Sequence, residues 1–271
     1  GYTVRLWSRT QKTLDRAANL IESALNSLAE SGQVQKDQVT DILNRISFST
    51  DLEVAADNAH FVLESVSEVP EIKKELFSRL NDICSDQTIF SSNTSGLNIF
   101  DILEVNNPER LIITHWFSPP AIIPLVEVIP GPGTSESVVS STISLLEGIG
   151  KKTVKLKKFV PAFIVNRIQD AINKTVLEMI DNDWAAPEDI DIAIKNTLGI
   201  RLPVAGVAQS LDFAGLDLIH NITQRMGIKS GFLEKKVTDG HLGTKSSKGI
   251  YDYQNRQEKE ILKKRDDLYL K

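Results

Sequence analysis

Short apolar runs alternate with stretches of helical spacing through the first 158 residues. No other feature of the chain constrains its fold as strongly. Tyr2-Thr3-Val4-Arg5-Leu6-Trp7 alternates as a strand does. Leu14, Ala17, Ile21, Leu25 and Leu28 then recur every three or four residues, with Thr10 as N-cap and Gly32 as stop. A second helix is expected over Gln38 to Ile46, followed by a buried strand, His60-Phe61-Val62-Leu63-Glu64. Pro70 opens a helix from Glu71 to Ile83 with Ile72, Leu76, Leu80 and Ile83 on one face. The strand Thr88-Ile89-Phe90, the helix Asn98 to Glu104 and the strand Arg110 to Thr114 continue the series. Strands that alternate with helices predict a parallel sheet covered on both faces.

The pattern changes after Lys158. Helical spacing runs unbroken from Phe163 to Ile180, Pro187 starts a helix over Glu188 to Asn196, and a third is expected from Gln209 to Met226. No clear strand follows, so the second half reads as all-helical, and the charged stretch Asn255 to Lys271 as a solvated helix or frayed tail. The expected fold class is therefore α/β: a parallel-sheet domain over 1–158, then a helical domain over 159–271.

Charge and composition narrow the function. A net charge of -5 argues against a nucleic-acid binder, because a phosphate-facing surface needs clustered Lys and Arg. Lys151, Lys152, Lys155, Lys157 and Lys158 do cluster, but several alternate along a short run and read as a solvated strand face. The single cysteine, Cys84, forms no intrachain disulfide and fits a reducing compartment. No apolar stretch is long enough to span a bilayer and no secretory signal is visible. The expectation is a cytoplasmic protein without membrane or nucleic-acid partners.

A doubly wound parallel sheet binds dinucleotides at the carboxyl ends of its strands, with Gly-x-Gly-x-x-Gly in the first turn. No such motif precedes Tyr2. The first strand here reads as the second of such a fold, so a preceding βα unit of roughly 25–30 residues is expected. The alternative is a chain that does not hold a dinucleotide in the usual way. At the end of that strand an acid would take the ribose hydroxyls of NAD, whereas an Arg accommodates the phosphate of NADP. Ser8-Arg9 stand there, which leaves NAD and NADP both open.

One histidine stands out. His115 closes the run Leu111-Ile112-Ile113-Thr114, and a carboxylate, Glu127, sits inside the next apolar run, Leu125 to Ile129. A histidine becomes a base when one ring nitrogen faces a substrate and a carboxylate holds the other. Two adjacent strands joined by a proline-bearing loop can deliver that pairing.

Taken in order, Ser92-Asn93-Thr94-Ser95, His115 with Phe117 and Pro119, Leu125-Val126-Glu127-Val128, Phe163-Ile164-Val165-Asn166-Arg167 and Leu211-Asp212-Phe213-Ala214-Gly215-Leu216-Asp217 resemble the 3-hydroxyacyl-CoA dehydrogenase family. The resemblance runs from Gly1 to Tyr251. It implies a Rossmann-type domain, here without its first strand and glycine loop, followed by a helical substrate and dimerisation domain. It also implies a homodimer, a small-molecule substrate, a nicotinamide cofactor and no metal. In that family pattern His115 is the general base that takes the 3-hydroxyl proton, and Glu127 orients its imidazole. Ser95 and Asn166 match polar residues near the reacting oxygen. Glu68, Lys73 and Lys245 match cofactor contacts.

Several positions depart from the pattern. Ser8 replaces the ribose-binding acid, and Ser118 replaces the Asn of a His-x-x-Asn-Pro stretch that contacts the cofactor. Pro119-Pro120 and Ile122-Ile123-Pro124 are closer to the lambda-crystallin, gulonate and carnitine dehydrogenase side of the superfamily. Ala24 and Ser31 stand where acyl-CoA enzymes carry a Ser and a Lys for CoA. The expected reaction is interconversion of 3-hydroxyacyl-CoA and 3-oxoacyl-CoA. The alternatives are a dehydrogenase of a small 3-hydroxy acid of the gulonate or carnitine type, or a non-catalytic crystallin-like protein.

Overall fold

The structure is a computed structural model that describes residues 1–271. It divides into two compact units, Gly1–Ala171 and Ile172–Lys271.

In the first unit the elements run β1 (Val4–Trp7), α1 (Gln11–Glu30), α2 (Gln38–Leu43), β2 (Ile46–Ser49), α3 (Leu52–Ala56), β3 (Phe61–Glu64), α4 (Pro70–Ile83), β4 (Ile89–Ser92), α5 (Ile99–Ile102), β5 (Leu111–Trp116), β6 (Leu125–Pro130), α6 (Glu136–Gly148) and β7 (Lys152–Lys155). The helix α7 (Val165–Asp181) carries the chain across the boundary between the units. The strands form two sheets. β1 and β2 make a parallel pair, and β3-β4-β5-β6-β7 make a five-stranded sheet in sequence order. All neighbours in the larger sheet are parallel except β5 and β6, which are antiparallel. The alternating pattern therefore predicts the sheet and the helices. It fails at the β5–β6 connection, where the short Phe117–Pro124 loop replaces a helical crossover and reverses the strand.

Burial on both faces explains why β5 is apolar along its length. Successive side chains of a strand point to opposite faces. Ile113 and Ile129 accordingly join Leu76, Phe77 and Leu80 of α4 in one core. Ile112, Val126 and Val128 join Val138, Val139 and Leu146 of α6 in the other. His115 and Glu127 lie two residues from Ile113 and Ile129 in the alternation, and so share the α4 face.

The end of the second helix differs from the sequence expectation. The helix expected to reach Ile46 stops at Leu43, and Ile46–Ser49 pairs with β1 instead. Its residues are β-branched, aromatic and serine, and the tertiary pairing overrides local helical spacing.

The second unit contains, after α7, the helices α8 (Pro187–Lys195), α9 (Leu198–Ala214), α10 (Leu216–Arg225), α11 (Gly231–Thr238) and α12 (Glu258–Tyr269). The single helix expected over Gln209 to Met226 is broken at Gly215, whose φ of 93° lies in the region glycine alone enters freely. A Cβ there would also meet Asp217 and Lys245 atoms at 2.8 Å. Asp212, fully buried in α9, ties the C-terminal segment down: it accepts bonds from the Ile250 and Tyr251 amides at 2.8 and 2.9 Å and from the Tyr253 hydroxyl at 3.0 Å. Burial and the neighbouring Asp212 charge push the Tyr253 phenol above its ordinary range. No single helix is long and apolar enough to cross a membrane.

Candidate active site

His115 and Glu127 are directly opposed in the antiparallel β5–β6 ladder, so backbone register alone sets them side by side. The His115 Nδ1 lies 2.7 Å from Glu127 Oε2. Glu127 Oε1 accepts from the Ile164 and Val165 amides at 2.9 and 3.0 Å, at the N-terminus of α7. Burial alone would raise the Glu127 pKa, but the bonds from His115, Val165 and Ile164 outweigh it and hold the carboxyl below its ordinary range. The positive end of a 17-residue helix acts in the same direction.

An ionised carboxylate only accepts hydrogen bonds, so Nδ1 carries the imidazole proton. Nε2 is then the ring nitrogen left over, with no hydrogen bond to the protein. His115 is 4% exposed, and its ring is flanked by Phe117 at 4.6 Å and Phe163 at 5.2 Å. An imidazole held in this way, between two aromatic rings, can serve as an oriented base toward a hydroxyl proton.

The turn that delivers the two amides is strained. Ala162 and Phe163 both have positive φ, 62° and 51°. Left-handed backbone costs a non-glycine residue about 1–2 kcal/mol. The fully buried Phe163 side chain and the Glu127 bonds hold it in place. The helical spacing from Phe163 onward located α7 but carried no signal of this turn.

Ser95 follows β4 in the loop Asn93–Leu97. Asn93 Oδ1 accepts from the Trp116 amide at 2.8 Å, which fastens the loop to β5 beside His115. A Cβ on Gly96 would lie 4.0 Å from the Ala162 nitrogen, so the loop also approaches the start of α7. Asn166, the second residue of α7, is half-buried. The structure thus gathers the Ser95 loop, His115, Glu127 and the segment leading to Asn166 at one edge of the sheet. The Ser95 amide donates to Glu68 Oε1 at 2.9 Å, while the Ser95 hydroxyl has no protein partner.

The expected cofactor contacts are placed as follows. Ser8 and Arg9 follow β1. Arg9 is exposed and has no ion-pair partner, and the next residue, Thr10, caps α1 by accepting from the Thr13 amide. An unpaired Arg beside a capped helix start suits an anionic group. Glu68 has a side chain 42% exposed, and Lys73 is completely buried between Glu64 and Glu68. Ser118 is exposed in the β5–β6 loop. Lys245 belongs to the second unit, where it pairs with Asp217 at 2.9 Å. Ser8, Arg9, Glu68, Lys73 and Ser118 lie in the first unit and Lys245 in the second, and the 271 residues contain no Gly-x-Gly-x-x-Gly for a pyrophosphate. No cluster of side chains suits a metal ion. Sequence reasoning missed Glu64, although a charge closing the apolar run Phe61-Val62-Leu63 is the signal that would have found it.

Comparison with known proteins gives a consistent result. The NAD-binding domain of 3-hydroxyacyl-CoA dehydrogenase matches residues 1–159, and the C-terminal domain of the same family matches residues 163–253. A probable 3-hydroxybutyryl-CoA dehydrogenase of Bacillus subtilis is 34% identical over 265 residues, 94% of this chain and 91% of that protein. An L-carnitine dehydrogenase of Streptomyces coelicolor is 33% identical over 216 residues, 79% of this chain and 67% of that protein. Among solved structures, the 3-hydroxyacyl-CoA dehydrogenase of Archaeoglobus fulgidus superposes with a TM-score of 0.78 at 27% identity, covering 98% of this chain and 89% of that one.

Proposed function

The chain belongs to the 3-hydroxyacyl-CoA dehydrogenase family, and from that premise we propose that it interconverts 3-hydroxyacyl-CoA and 3-oxoacyl-CoA with His115 as general base. The observation that carries this reading is the 2.7 Å His115–Glu127 bond, which engages Nδ1 and leaves Nε2 for a substrate beside the Phe117 and Phe163 rings. In the oxidative direction Nε2 takes the proton of the 3-hydroxyl, and Glu127 stabilises the imidazolium that forms. Ser95 and Asn166 donate hydrogen bonds to the substrate oxygens as charge develops. Phe117 and Phe163 keep water from the exchanging proton. The nicotinamide cofactor, when bound, takes or returns the hydride. Ser8, Arg9, Glu68 and Ser118 are the residues of the first unit proposed to hold it, with Lys73 acting through Glu68. NAD is the family cofactor, and Ser8-Arg9 open the site to NADP as well, because no carboxylate repels the extra phosphate.

A second reading keeps the chemistry and changes the handle. The last turn of α1 carries no basic residue, and Ala24 and Ser31 occupy the positions proposed for CoA contacts. CoA phosphates need fixed positive charge, so a small free 3-hydroxy acid of the carnitine or gulonate type is the alternative substrate class. A purely structural, crystallin-like role has less support, because Ser95, His115, Glu127 and Asn166 are all retained.

The deciding experiment compares kcat/KM of the full-length protein for 3-hydroxybutyryl-CoA and for free 3-hydroxybutyrate, carnitine and gulonate, each with NAD and with NADP. Binding energy from a remote handle raises turnover as well as affinity. A thioester preference of orders of magnitude, with NADP used comparably to NAD, is expected. Parity between thioester and free acid contradicts the acyl-CoA reading and leaves the dyad in place.

The apolar face of α7 completes the proposal. Ile168 and Ile172, one helical turn apart on α7, are 44% and 38% exposed, Ile164 just before the helix is 40% exposed, and no residue of α7 is buried. A second copy of the chain is the proposed cover, giving a homodimer.

A further inference from the structure

Behind the Ser95 loop lies a chain of charges, of which the proposed function uses only Glu68 and, through it, Lys73. Glu64 closes β3 at a position where the strand is buried, and its carboxylate accepts four hydrogen bonds. Two come from Lys73 Nζ at 2.8 and 2.9 Å, one from Ser92 Oγ at 2.5 Å and one from the Val66 amide at 2.7 Å. The Lys73 ammonium is itself fully buried, and its remaining contact is Glu68 Oε2 at 3.2 Å. Glu68 Oε1 then accepts from the Thr94 hydroxyl and from the Ser95 amide at 2.9 Å. Thr94 Oγ1 in turn accepts from the Gly96 and Leu97 amides at 3.2 and 2.9 Å. Every link is a hydrogen bond except the Lys73–Glu68 ion pair, and the chain ends on the backbone that carries Ser95.

Removing two charges from water is costly, and a well-packed apolar pair holds a fold at least as well. Stability alone therefore does not account for Glu64 and Lys73. A rigid, fully satisfied polar network does fix geometry. Burial raises the Glu68 pKa, but the Thr94 and Ser95 bonds and the Lys73 charge outweigh it and keep the carboxyl below its ordinary range. Glu68 thus takes both donors of the loop on Oε1 while Oε2 faces the Lys73 ammonium.

We propose that Glu64, Lys73, Glu68 and Thr94 form a positioning relay that sets the place of Ser95 against the reacting oxygen. Glu64 and Lys73 touch neither substrate nor cofactor in this account. They anchor Glu68, which anchors the loop. The link to turnover rests on the function proposed above, whereas the ordering of the loop does not.

Two measurements on the full-length protein test the relay. The first is hydrogen exchange in the Glu64→Gln/Lys73→Met variant, which removes both buried charges together. Protection of the Ser95, Gly96 and Leu97 amides should fall about tenfold or more, while that of β5 amides stays unchanged. Retained protection at the three amides overturns the relay, whether or not the protein turns over substrate. The second is a kinetic cycle with Ser95→Ala. Misplacement by about 1 Å costs roughly 10²-fold, so kcat of the charge-free variant should fall by about that factor at nearly constant KM. Adding Ser95→Ala should then cost little more. Additive losses mean that the buried pair acts independently of Ser95 and contradict the relay. If the charge-free variant does not fold, Thr94→Val breaks the last link without touching the ion pair. It faces the same non-additivity criterion, and Thr94→Ser should restore wild-type turnover.

Discussion

A hydrogen-bonded register pair is the smallest unit that explains the site. His115 and Glu127 oppose each other across β5 and β6, so a slip of one residue would put them on opposite faces. Glu127 links three things at once: the imidazole, the Ile164 amide and the Val165 amide. Because its folded pKa is depressed, it contributes stability that is fully present above its unfolded value and is lost as pH falls through the folded value. The stability gap between wild type and Glu127→Gln should therefore be largest near neutrality and should shrink below about pH 4.3. Urea unfolding from pH 3 to 7, on the order of one measurement per half unit, reads this directly. A gap independent of pH would show that Glu127 is not ionised in the folded protein.

At the scale of elements, the N-terminus of α7 connects fold and chemistry. Ala162 and Phe163 turn through left-handed backbone so that the next two amides reach Glu127. An ordinary Ala→Gly change costs about 0.5–1 kcal/mol. Ala162→Gly should instead be neutral or stabilising, because glycine relieves a left-handed strain of about 1–2 kcal/mol. Loss of about 1 kcal/mol in chemical denaturation would show that the turn is unstrained. The elements legible in the sequence are those with a sustained apolar pattern: α1, α4, α7 and α8, and the strands ending at Glu64 and Trp116. Those that were not legible depend on long-range pairing or on a single backbone angle. β2 exists through β1, the antiparallel turn of β6 through a short loop, and the break between α9 and α10 through Gly215. The candidate site follows the same division. His115 and Glu127 could be paired from strand ends alone. The relay from Glu64 could not, because its residues come from β3, α4 and the β4 loop and meet only in the folded chain.

At the scale of the whole molecule, a sheet domain with the His115–Glu127 pair and a helical unit with an uncovered α7 face make a nicotinamide-dependent oxidoreductase that is proposed to work as a dimer. Sedimentation of the full-length protein should give a dimer that Ile172→Glu weakens by at least about tenfold, since a charge buried in an apolar interface is expensive. A wild-type monomer at micromolar concentration would remove α7 from that role. The central claim, however, is that His115 moves the proton. Its most direct test is steady-state oxidation of 3-hydroxybutyryl-CoA by wild type and by His115→Gln, with cofactor affinity measured separately for each. The account predicts that kcat falls by about 10²–10⁴-fold while the cofactor dissociation constant stays nearly the same. A correctly folded His115→Gln protein that turns over at the wild-type rate would contradict it.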